Sequence, residues 1–302
     1  ATDIGIIVGT SEGALGTCCD FQSMITEKGN ASGSAFKFPN TVYNAAGGYL
    51  SICSGIKGYN VTVTNGAQSG LASMAYAMSV LRSGQENAML ATGSDENSDI
   101  MTELFGKLGV TSENVVAPFA GNDGFVLSDG SASVLIEDEK AAKERGARIY
   151  CHASGYGMAH SSVKFGTLTG SEAGLTNAVN NALADAGMTI DDIDAVFGFA
   201  NGMKAVDDVE IKGLTAVFGD KLAEKPVVEL KEVLGESRAA AATTAAAHAA
   251  LMFAGKIPSQ EAYSIAADGS VSKTTVEASK LNNVLVAAYG AGGSYTAIVL
   301  SK

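Results

Sequence analysis

A short segment of small residues, TVTNGAQSGLASM at positions 62–74, has the pattern of a turn that presents a reactive side chain. Residues 61–64 before it predict a strand, and residues 71–81 after it predict a helix. Several enzyme folds hold their nucleophile on a sharp strand-to-helix turn of this kind. Here the presented residue is Gln68 or Ser69, and an amide is not a nucleophile. The turn is therefore typical of a catalytic site, although its central residue is not.

The composition indicates a soluble globular protein. The chain has 302 residues, of which 46% are hydrophobic and 17% charged, which suffices for a packed core in one or two domains. The net charge of −12 argues against nucleic acid and anionic membranes as partners. No apolar run reaches membrane-spanning length, so we expect no membrane association.

The cysteines and histidines are not arranged as metal ligands. Cys18, Cys19, Cys53 and Cys151 lack the spacing of a zinc site or a disulfide framework, and the three histidines are far apart. Reduced thiols in a cytoplasm are the simplest interpretation of the cysteines. We therefore expect a cytoplasmic protein without a metal site or a cofactor.

Strand-like and helix-like segments alternate along the chain, which favours an α/β fold with buried sheets. Strands are predicted at residues 4–8, 61–64, 87–92, 124–136, 149–156, 195–200, 227–230, 284–288 and 295–300. Helices are predicted at residues 46–54, 71–83, 173–186, 207–218 and 238–254.

A weak internal repeat relates residues 62–93 to residues 227–258. Both segments begin with a strand, turn sharply and continue as a helix rich in small residues, which suits a helix buried between two layers. The repeat predicts an αβαβα five-layer sandwich with two pseudo-symmetric halves, residues 1–155 and 156–302.

Six segments resemble, in order, the motifs of the β-ketoacyl synthase branch of the thiolase fold. They are residues 38–60, 64–96, 117–157, 200–219, 229–258 and 287–300, among them APFAGNDGFVLSDG and the closing AAYGAGG. Members of that family carry a strand and helices ahead of the segment that matches Ile4 to Val8. The resemblance implies that this portion of the first half is absent, and that either a separate chain supplies it or the sequence is a fragment.

The departures from the family pattern fall on the catalytic residues. The family's cysteine position holds Gln68, its two histidine positions hold Asn201 and Glu236, and its lysine is kept as Lys231. The closing gatekeeper phenylalanine position holds Ala291. By this resemblance, the chain has lost the nucleophile and both histidines of the condensing enzymes.

The remaining groups form at most a partial site. Ser69 has a hydroxyl but no histidine base in any matched position. An ionised Glu236 would repel a developing enolate, and we expect it to pair with Lys231 instead. Backbone N–H groups of Gln68 and Ala291 would form a relic of an oxyanion hole, which is insufficient alone.

The resemblance therefore implies a catalytically silent subunit similar to the chain-length factors of type II polyketide or fatty-acid synthases. Its partners would be an active ketosynthase, in a heterodimer, and an acyl carrier protein with its phosphopantetheine arm. The alternative is a malonyl-carrier-protein decarboxylase, because loading ketosynthases also carry glutamine at the cysteine position, although they keep both histidines. A standalone acyl-binding protein is a third hypothesis, and a stable monomer would distinguish it.

A further prediction concerns the segment GALGTCCDFQSMI, which is interpreted as a helix near the subunit interface. Cys18, Cys19, Phe21 and Met24 would either pack that interface or, as in chain-length factors, close the end of the partner's acyl tunnel. His248 lies in an alanine-rich helix and is interpreted as a core residue.

Overall fold

In the computed structural model, which describes residues 4–164 and 170–302, the first sheet is built from four strands. They are β1 (Ile4–Gly9), β2 (Asn60–Val63), β3 (Ala88–Asp95) and β4 (Gly130–Glu137). Their order across the sheet is β2-β1-β3-β4. β1 runs parallel to β2 and β3, whereas β4 is antiparallel to β3. β2 therefore forms one edge of this sheet.

The second sheet has seven strands in the order β5-β11-β10-β6-β7-β8-β9. These are β5 (His152–His160), β6 (Ala195–Phe197), β7 (Val227–Val228), β8 (Ser259–Ile265), β9 (Val271–Glu277), β10 (Asn283–Gly290) and β11 (Ser294–Ser301). β10 and β11 form an antiparallel hairpin, and β10 is parallel to β6.

The helices connect these strands. In the described part of the chain they are α1 (Leu15–Lys28), α2 (Ala45–Ser54), α3 (Ser69–Arg82), α4 (Asp99–Leu108), α5 (Glu139–Glu144), α6 (Glu172–Ala186), α7 (Lys204–Phe218), α8 (Lys231–Leu234) and α9 (Ala239–Phe253). None of them is long and apolar enough to cross a membrane.

Two of the helices form the middle layer of a sandwich. α3 and α9 contribute buried residues to one core that also contains side chains from both sheets, such as Met89 and Val286. α6 and α7 cover the other face of the second sheet in a separate core. α2 packs against β1 and β2, and α1 contacts α4 on that side. The predicted five-layer αβαβα architecture is confirmed.

Several predicted elements require correction. The strand predicted at 124–136 begins only at Gly130, and the hairpin of β8 and β9 was not predicted. This hairpin lies at the edge of its sheet and is rich in Ser, Thr and Lys, so its strands lack a regular apolar alternation. α4 was also missed, although Ser98 before it and Gly109 after it are ordinary start and stop signals.

The predicted division of the chain at residues 155 and 156 stays a prediction. The two sheets separate between β4 and β5, and residue 155 lies within β5. A division between the two sheets would therefore fall between Glu137, where β4 ends, and His152, where β5 begins.

The two central helices approach each other most closely where both begin. A Cβ on Gly70, in the first turn of α3, would overlap the carbonyl oxygen of Ala239 and the hydroxyl of Thr243 on α9. Gly93 on β3 faces the same two atoms. Glycine is needed at both positions because backbone and side-chain atoms already fill the space.

We predict that Gly70→Ala destabilises the fold by about 1–3 kcal/mol, because the added methyl group forces α3 and α9 apart. Gly106→Ala in α4 is the matched control, since nothing lies within 4 Å of the added Cβ there. In an exposed helix this change stabilises by about 0.5–1 kcal/mol. Urea unfolding of the two variants measures the difference, and equal stabilities would contradict the close contact.

Candidate functional site

The turn that precedes α3 is fixed by its own hydrogen bonds. Ser69 Oγ donates to the carbonyl oxygen of Gly66 at 2.6 Å and accepts from the backbone N–H of Asn65 at 2.7 Å. Gly66 has a φ of +67°, a left-handed conformation that favours glycine. Because the buried Ser69 hydroxyl is engaged within the turn, it is not available as a nucleophile.

Gln68 is completely buried and points toward the second sheet. Its Oε1 accepts a hydrogen bond from Thr296 Oγ1 on β11. Gln68 occupies the residue position before α3, but its side chain makes no capping hydrogen bond to that helix. The carbonyl oxygen of Gln68 is thus bound to the second sheet and does not cap α3.

The amide nitrogen of Gln68 is a second feature of this side chain. Among the described residues, Nε2 has no hydrogen-bond partner although it is buried. A buried donor without an acceptor costs about 1–3 kcal/mol. The site therefore keeps one N–H donor available for an acceptor.

The two histidine positions and the lysine form one buried cluster. Lys231 Nζ lies 2.7 Å from Glu236 Oε2 and donates to the carbonyl oxygen of Phe199 at 3.1 Å. Asn201 Nδ2 donates to the same Glu236 oxygen at 2.9 Å. The predicted pairing of Glu236 with Lys231 is confirmed, and it extends to Asn201.

Glu236 is held in its ionised form. Burial alone would raise the pKa of Glu236, but the charge and hydrogen bond of Lys231 and the donors of Asn201 and Arg238 outweigh it and lower the pKa. The backbone N–H of Arg238 contacts Oε1 at 2.9 Å. Lys231, Asn201 and the Arg238 N–H thus all donate to this carboxylate.

The loop that carries Asn201 is fixed by a buried carboxylate. Asp207, in the first turn of α7, accepts from the backbone N–H groups of Asn201 at 3.0 Å, Gly202 at 3.2 Å and Phe119 at 2.7 Å. Burial raises the pKa of Asp207, and these three hydrogen bonds oppose the increase. Beside this loop lies an open cleft of about 650 Å³, whose lining includes Met203 and Lys204.

Ala291 lies in the turn between β10 and β11. This turn abuts the Gln68 turn, since a Cβ on Gly290 would lie 2.7 Å from the carbonyl oxygen of Asn65 and 3.3 Å from Gln68 Cγ. Ala291 itself is exposed. The structure thus brings the two turns of the predicted oxyanion-hole relic together, and the role of their N–H groups stays a prediction.

A pair of buried acids beside the cluster was not predicted. A Cβ on Gly198 would overlap carboxyl oxygens of both Glu210 and Glu229, so these two side chains meet over Gly198. Burial raises the pKa of Glu210 to about 7, although hydrogen bonds from Glu229 and the Phe199 N–H oppose it. Burial and then the adjacent Glu210 hold the pKa of Glu229 well above its usual range. Both shifts favour the protonated carboxyl, so we expect the two groups to share a proton at neutral pH.

The four residues predicted for the tunnel end lie on α1, as expected. Cys18, Cys19, Phe21 and Met24 are half-buried, and no residue of α1 is fully buried. The Cys18 thiol donates to the carbonyl oxygen of Thr41 at 2.8 Å, and the Phe21 ring packs against Phe38. Which of these side chains would face a partner stays a prediction.

The other titratable residues do not extend the site. No group of three or more His, Cys, Asp or Glu side chains in residues 4–164 and 170–302 is placed to hold a metal ion. His248 packs near Phe197, and burial lowers its pKa. Its position at the edge of the core, half-buried on α9, agrees with the predicted packing role.

The arrangement defines a thiolase-like ketosynthase fold, and comparisons with known proteins identify the family. The model of the β-ketoacyl synthase N-terminal domain matches residues 1–142, and that of the C-terminal domain matches residues 150–263. The chain belongs to the β-ketoacyl synthase family.

Individual relatives are distant. A 3-oxoacyl-[acyl-carrier-protein] synthase 2 of Vibrio harveyi is 29% identical over 236 residues, which cover 76% of this chain and 57% of that protein. The chain spans 55–60% of the length of the first curated relatives that it matches.

Solved structures agree with the fold. The ishigamide ketosynthase/chain length factor matches with a TM-score of 0.87 at 23% identity, covering 100% of this chain and 75% of that one. A chain from the complex of a type II polyketide synthase acyl-carrier protein with its ketosynthase also matches. Its TM-score is 0.86 at 19% identity, and the match covers 99% of this chain and 78% of that one.

The buried acid pair generates a prediction about pH. The raised pKa of Glu210 means that the folded state keeps a proton which the unfolded chain releases between about pH 4.5 and pH 7. The pKa of Glu229 is also raised, which acts in the same direction. Stability is therefore full below this range and falls as the pH rises through it, by about 3 kcal/mol for a shift of this size.

Glu229→Gln should remove part of this loss, because an amide replaces one of the two acids and still donates to Glu210. We expect a variant more stable than the parent at pH 8 by about 1–3 kcal/mol, with little difference at pH 4.5. Denaturant midpoints measured at both pH values test this, with Glu113→Gln on the surface as the control. A Glu229→Gln variant with an unchanged pH slope would contradict the shared proton.

Proposed function

We propose that this chain is a catalytically silent, chain-length-factor-like subunit. It pairs with an active ketosynthase that carries the cysteine and both histidines. The pair elongates a polyketide or fatty-acyl chain held on an acyl carrier protein, and this subunit shapes the end of the acyl tunnel.

The observation that carries the proposal is the state of the residues at the catalytic positions. Gln68 provides an amide in place of a thiol, and it is tied to Thr296. Glu236 is an ionised acceptor whose neighbouring donors, Lys231 and Asn201, are already bound to it. None of these groups attacks a thioester, and the ionised Glu236 opposes a developing enolate, although Gln68 Nε2 remains an unpaired donor.

The surface around α1 and α2 supports a protein partner. Large apolar side chains are exposed there, including Phe36 at 88% and Ile52 at 77%. β2, the adjacent edge strand, pairs with β1 alone among the described strands. Exposed apolar patches and open sheet edges commonly mark interfaces. The matched ketosynthase/chain length factor structure suggests a ketosynthase as the partner.

The acyl carrier protein is proposed as the second partner. A carrier protein complexed with its ketosynthase is among the matched structures. Because carrier proteins of this family are usually acidic and this chain carries a net charge of −12, docking is expected on the basic surface of the active subunit.

A specific observation favours a second candidate, a malonyl-carrier-protein decarboxylase. The free Nε2 donor of Gln68 would bind the thioester carbonyl oxygen as carbon dioxide leaves. The ionised Glu236 weighs against it, because a negative charge near the developing enolate raises the barrier.

We predict that the purified chain forms no acyl adduct and releases no carbon dioxide from malonyl-carrier protein. The reason is that Gln68 cannot be acylated and Glu236 opposes an enolate. Intact-mass spectrometry and a carbon dioxide assay measure the two outcomes, with an active ketosynthase of the family as the positive control. A stoichiometric adduct would overturn the silent role. Carbon dioxide release that Gln68→Ala abolishes would establish the second candidate instead.

We further predict that α1 sets product length. Phe21→Ala should open space at the tunnel end and lengthen the product by about one or two two-carbon units, whereas Cys19→Phe should shorten it. The reason is steric, because a densely packed wall does not yield to additional methylenes without strain. Mass analysis of the products made with the active partner measures the distribution.

The control for this prediction is Ile149→Ala, a change at a partly exposed residue between α5 and β5, which should leave product length unchanged. All complexes must elute as one defined heterodimer. Unchanged product lengths in both α1 variants, with intact and active complexes, would show that α1 does not set the length.

A further inference from the structure

Arg238 has an unusual backbone and an unusual environment. It lies in the turn before α9 with a φ of +52°, and in the described chain Phe119 is the other non-glycine residue with a positive φ. A residue with a side chain is strained in this region, by about 1–3 kcal/mol. Only 5% of the Arg238 side chain is exposed. Its surroundings must therefore hold this conformation in place.

The Arg238 side chain, which belongs to the second half, contacts two segments of the first half. Arg238 Nε lies 2.7 Å from Glu12 Oε2, in the loop after β1, and one of its terminal nitrogens donates to the carbonyl oxygen of Glu96 at 2.6 Å. Its backbone N–H contacts Glu236, as described above. One residue thus connects the Glu236 cluster with the loop that leads into α1.

Asp95 also connects the loop after β1 with the turn before α9, and we call this meeting point of Glu12, Asp95, Glu96 and Arg238 the junction. Its carboxylate accepts from Thr10 Oγ1 at 2.6 Å, from the backbone N–H of Ser11 at 2.9 Å and from that of Ala239, at the start of α9, at 2.9 Å. Arg238 Nε lies 4.0 Å from the same carboxylate. The loop after β1 and the start of α9 are therefore held by shared charged groups.

The body of α1 is weakly anchored, because none of its residues is fully buried. The helix contacts α4 and the segment that carries Phe38 and Thr41. Its first turn is close to the junction, since a Cβ on Gly16 would lie 3.3 Å from Ser98 Cβ and 3.6 Å from Glu96 Oε1. The contact at this first turn therefore helps to set the position of the side chains further along α1.

We propose that Arg238 is a positioning residue that fixes the start of α1 through its buried ion pair with Glu12 and its hydrogen bond to Glu96. In doing so it positions Cys18, Cys19, Phe21 and Met24. A buried ion pair adds little net stability because desolvation offsets the attraction, but it sets a specific geometry. The consequence for product length rests on the proposed function.

The test is designed for a pH at which Glu12 is ionised. Burial raises the pKa of Glu12 to about 7, with Arg238 opposing the shift and the Asp95 and Glu236 carboxylates adding to it. Measurements on the full chain in complex with its active partner are therefore made at pH 8. Arg238→Met removes the charge and the donors, and Glu12→Gln is a second variant that keeps the side-chain volume.

Both variants should loosen α1 while the rest of the fold is retained. We expect amide hydrogen exchange in residues 12–28 to become about tenfold faster. Labelling of Cys18 and Cys19 by a thiol reagent should rise relative to the exposed Cys53. Arg82→Met, which breaks the partly exposed pair with Asp185, is the matched control and should leave both readouts unchanged. Unaltered exchange and labelling in folded variants of Arg238 and Glu12 would overturn the positioning role.

Product length provides the functional readout. If Phe21→Ala changes the product length, then Arg238→Met should broaden the distribution of lengths. A loosened α1 with an unchanged distribution would overturn the functional part of this inference. A third outcome is that Arg238→Met loosens α1 but neither Phe21→Ala nor Arg238→Met alters product length. In that case the proposed tunnel role of α1 is wrong, and the structural role of Arg238 is supported.

Discussion

The contact between the first turns of α3 and α9 is the constraint on which the site depends. Gly70 and Ala239 meet there, so the N-termini of two buried helices converge at one place between the sheets. Each N-terminus carries about half a positive charge and several N–H groups without partners inside the helix. Any chain that packs small residues in this manner creates a location that favours negative charge.

At the start of α9, the chain's own carboxylates accept hydrogen bonds from the unpaired N–H groups. Asp95 accepts from the first N–H of α9, and Glu236 accepts from the turn just before that helix. At the start of α3, by contrast, a neutral amide occupies the position before the helix and bonds to Thr296. In the condensing enzymes of this family the corresponding field would stabilise a thiolate. Here the start of α9 is occupied by the carboxylates of Asp95 and Glu236, an arrangement that the proposed silent role would require.

The extent to which the sequence predicted these features differs between local and long-range interactions. The repeat of two small-residue helices after sharp turns identified the layers, because burial between two sheets favours helices rich in Ala, Ser and Gly. The pairing of Lys231 with Glu236 was predicted because the family resemblance places the kept lysine near the second histidine position, which here holds an acid. Glu12, Asp95 and Arg238 were not predicted to interact, since 83 to 226 positions separate them in the chain and no local pattern connects them. The same applies to Gln68 and Thr296, which are 228 positions apart.

The polar β8 and β9 hairpin was missed for a different reason, namely that an edge strand needs no continuous apolar face.

The outer layers of the two halves differ in a way that bears on assembly. On the second sheet, α6 alone buries six residues, and α6 and α7 close a complete core. On the first sheet, the corresponding layer of α1, α2 and α4 buries just Gly47 and Met101 among its described helical residues. Two halves with related architectures would bury similar areas if each were complete in isolation. The outer layer with fewer buried residues lies on the side where Phe36 and Ile52 are exposed and where β2 forms the sheet edge.

Under the proposed function, a ketosynthase subunit covers this exposed surface, and α1 closes the end of the acyl tunnel only in that complex. A helix held at its start by Arg238, and covered by another protein along its length, can then set a distance inside the partner without any catalytic group of its own.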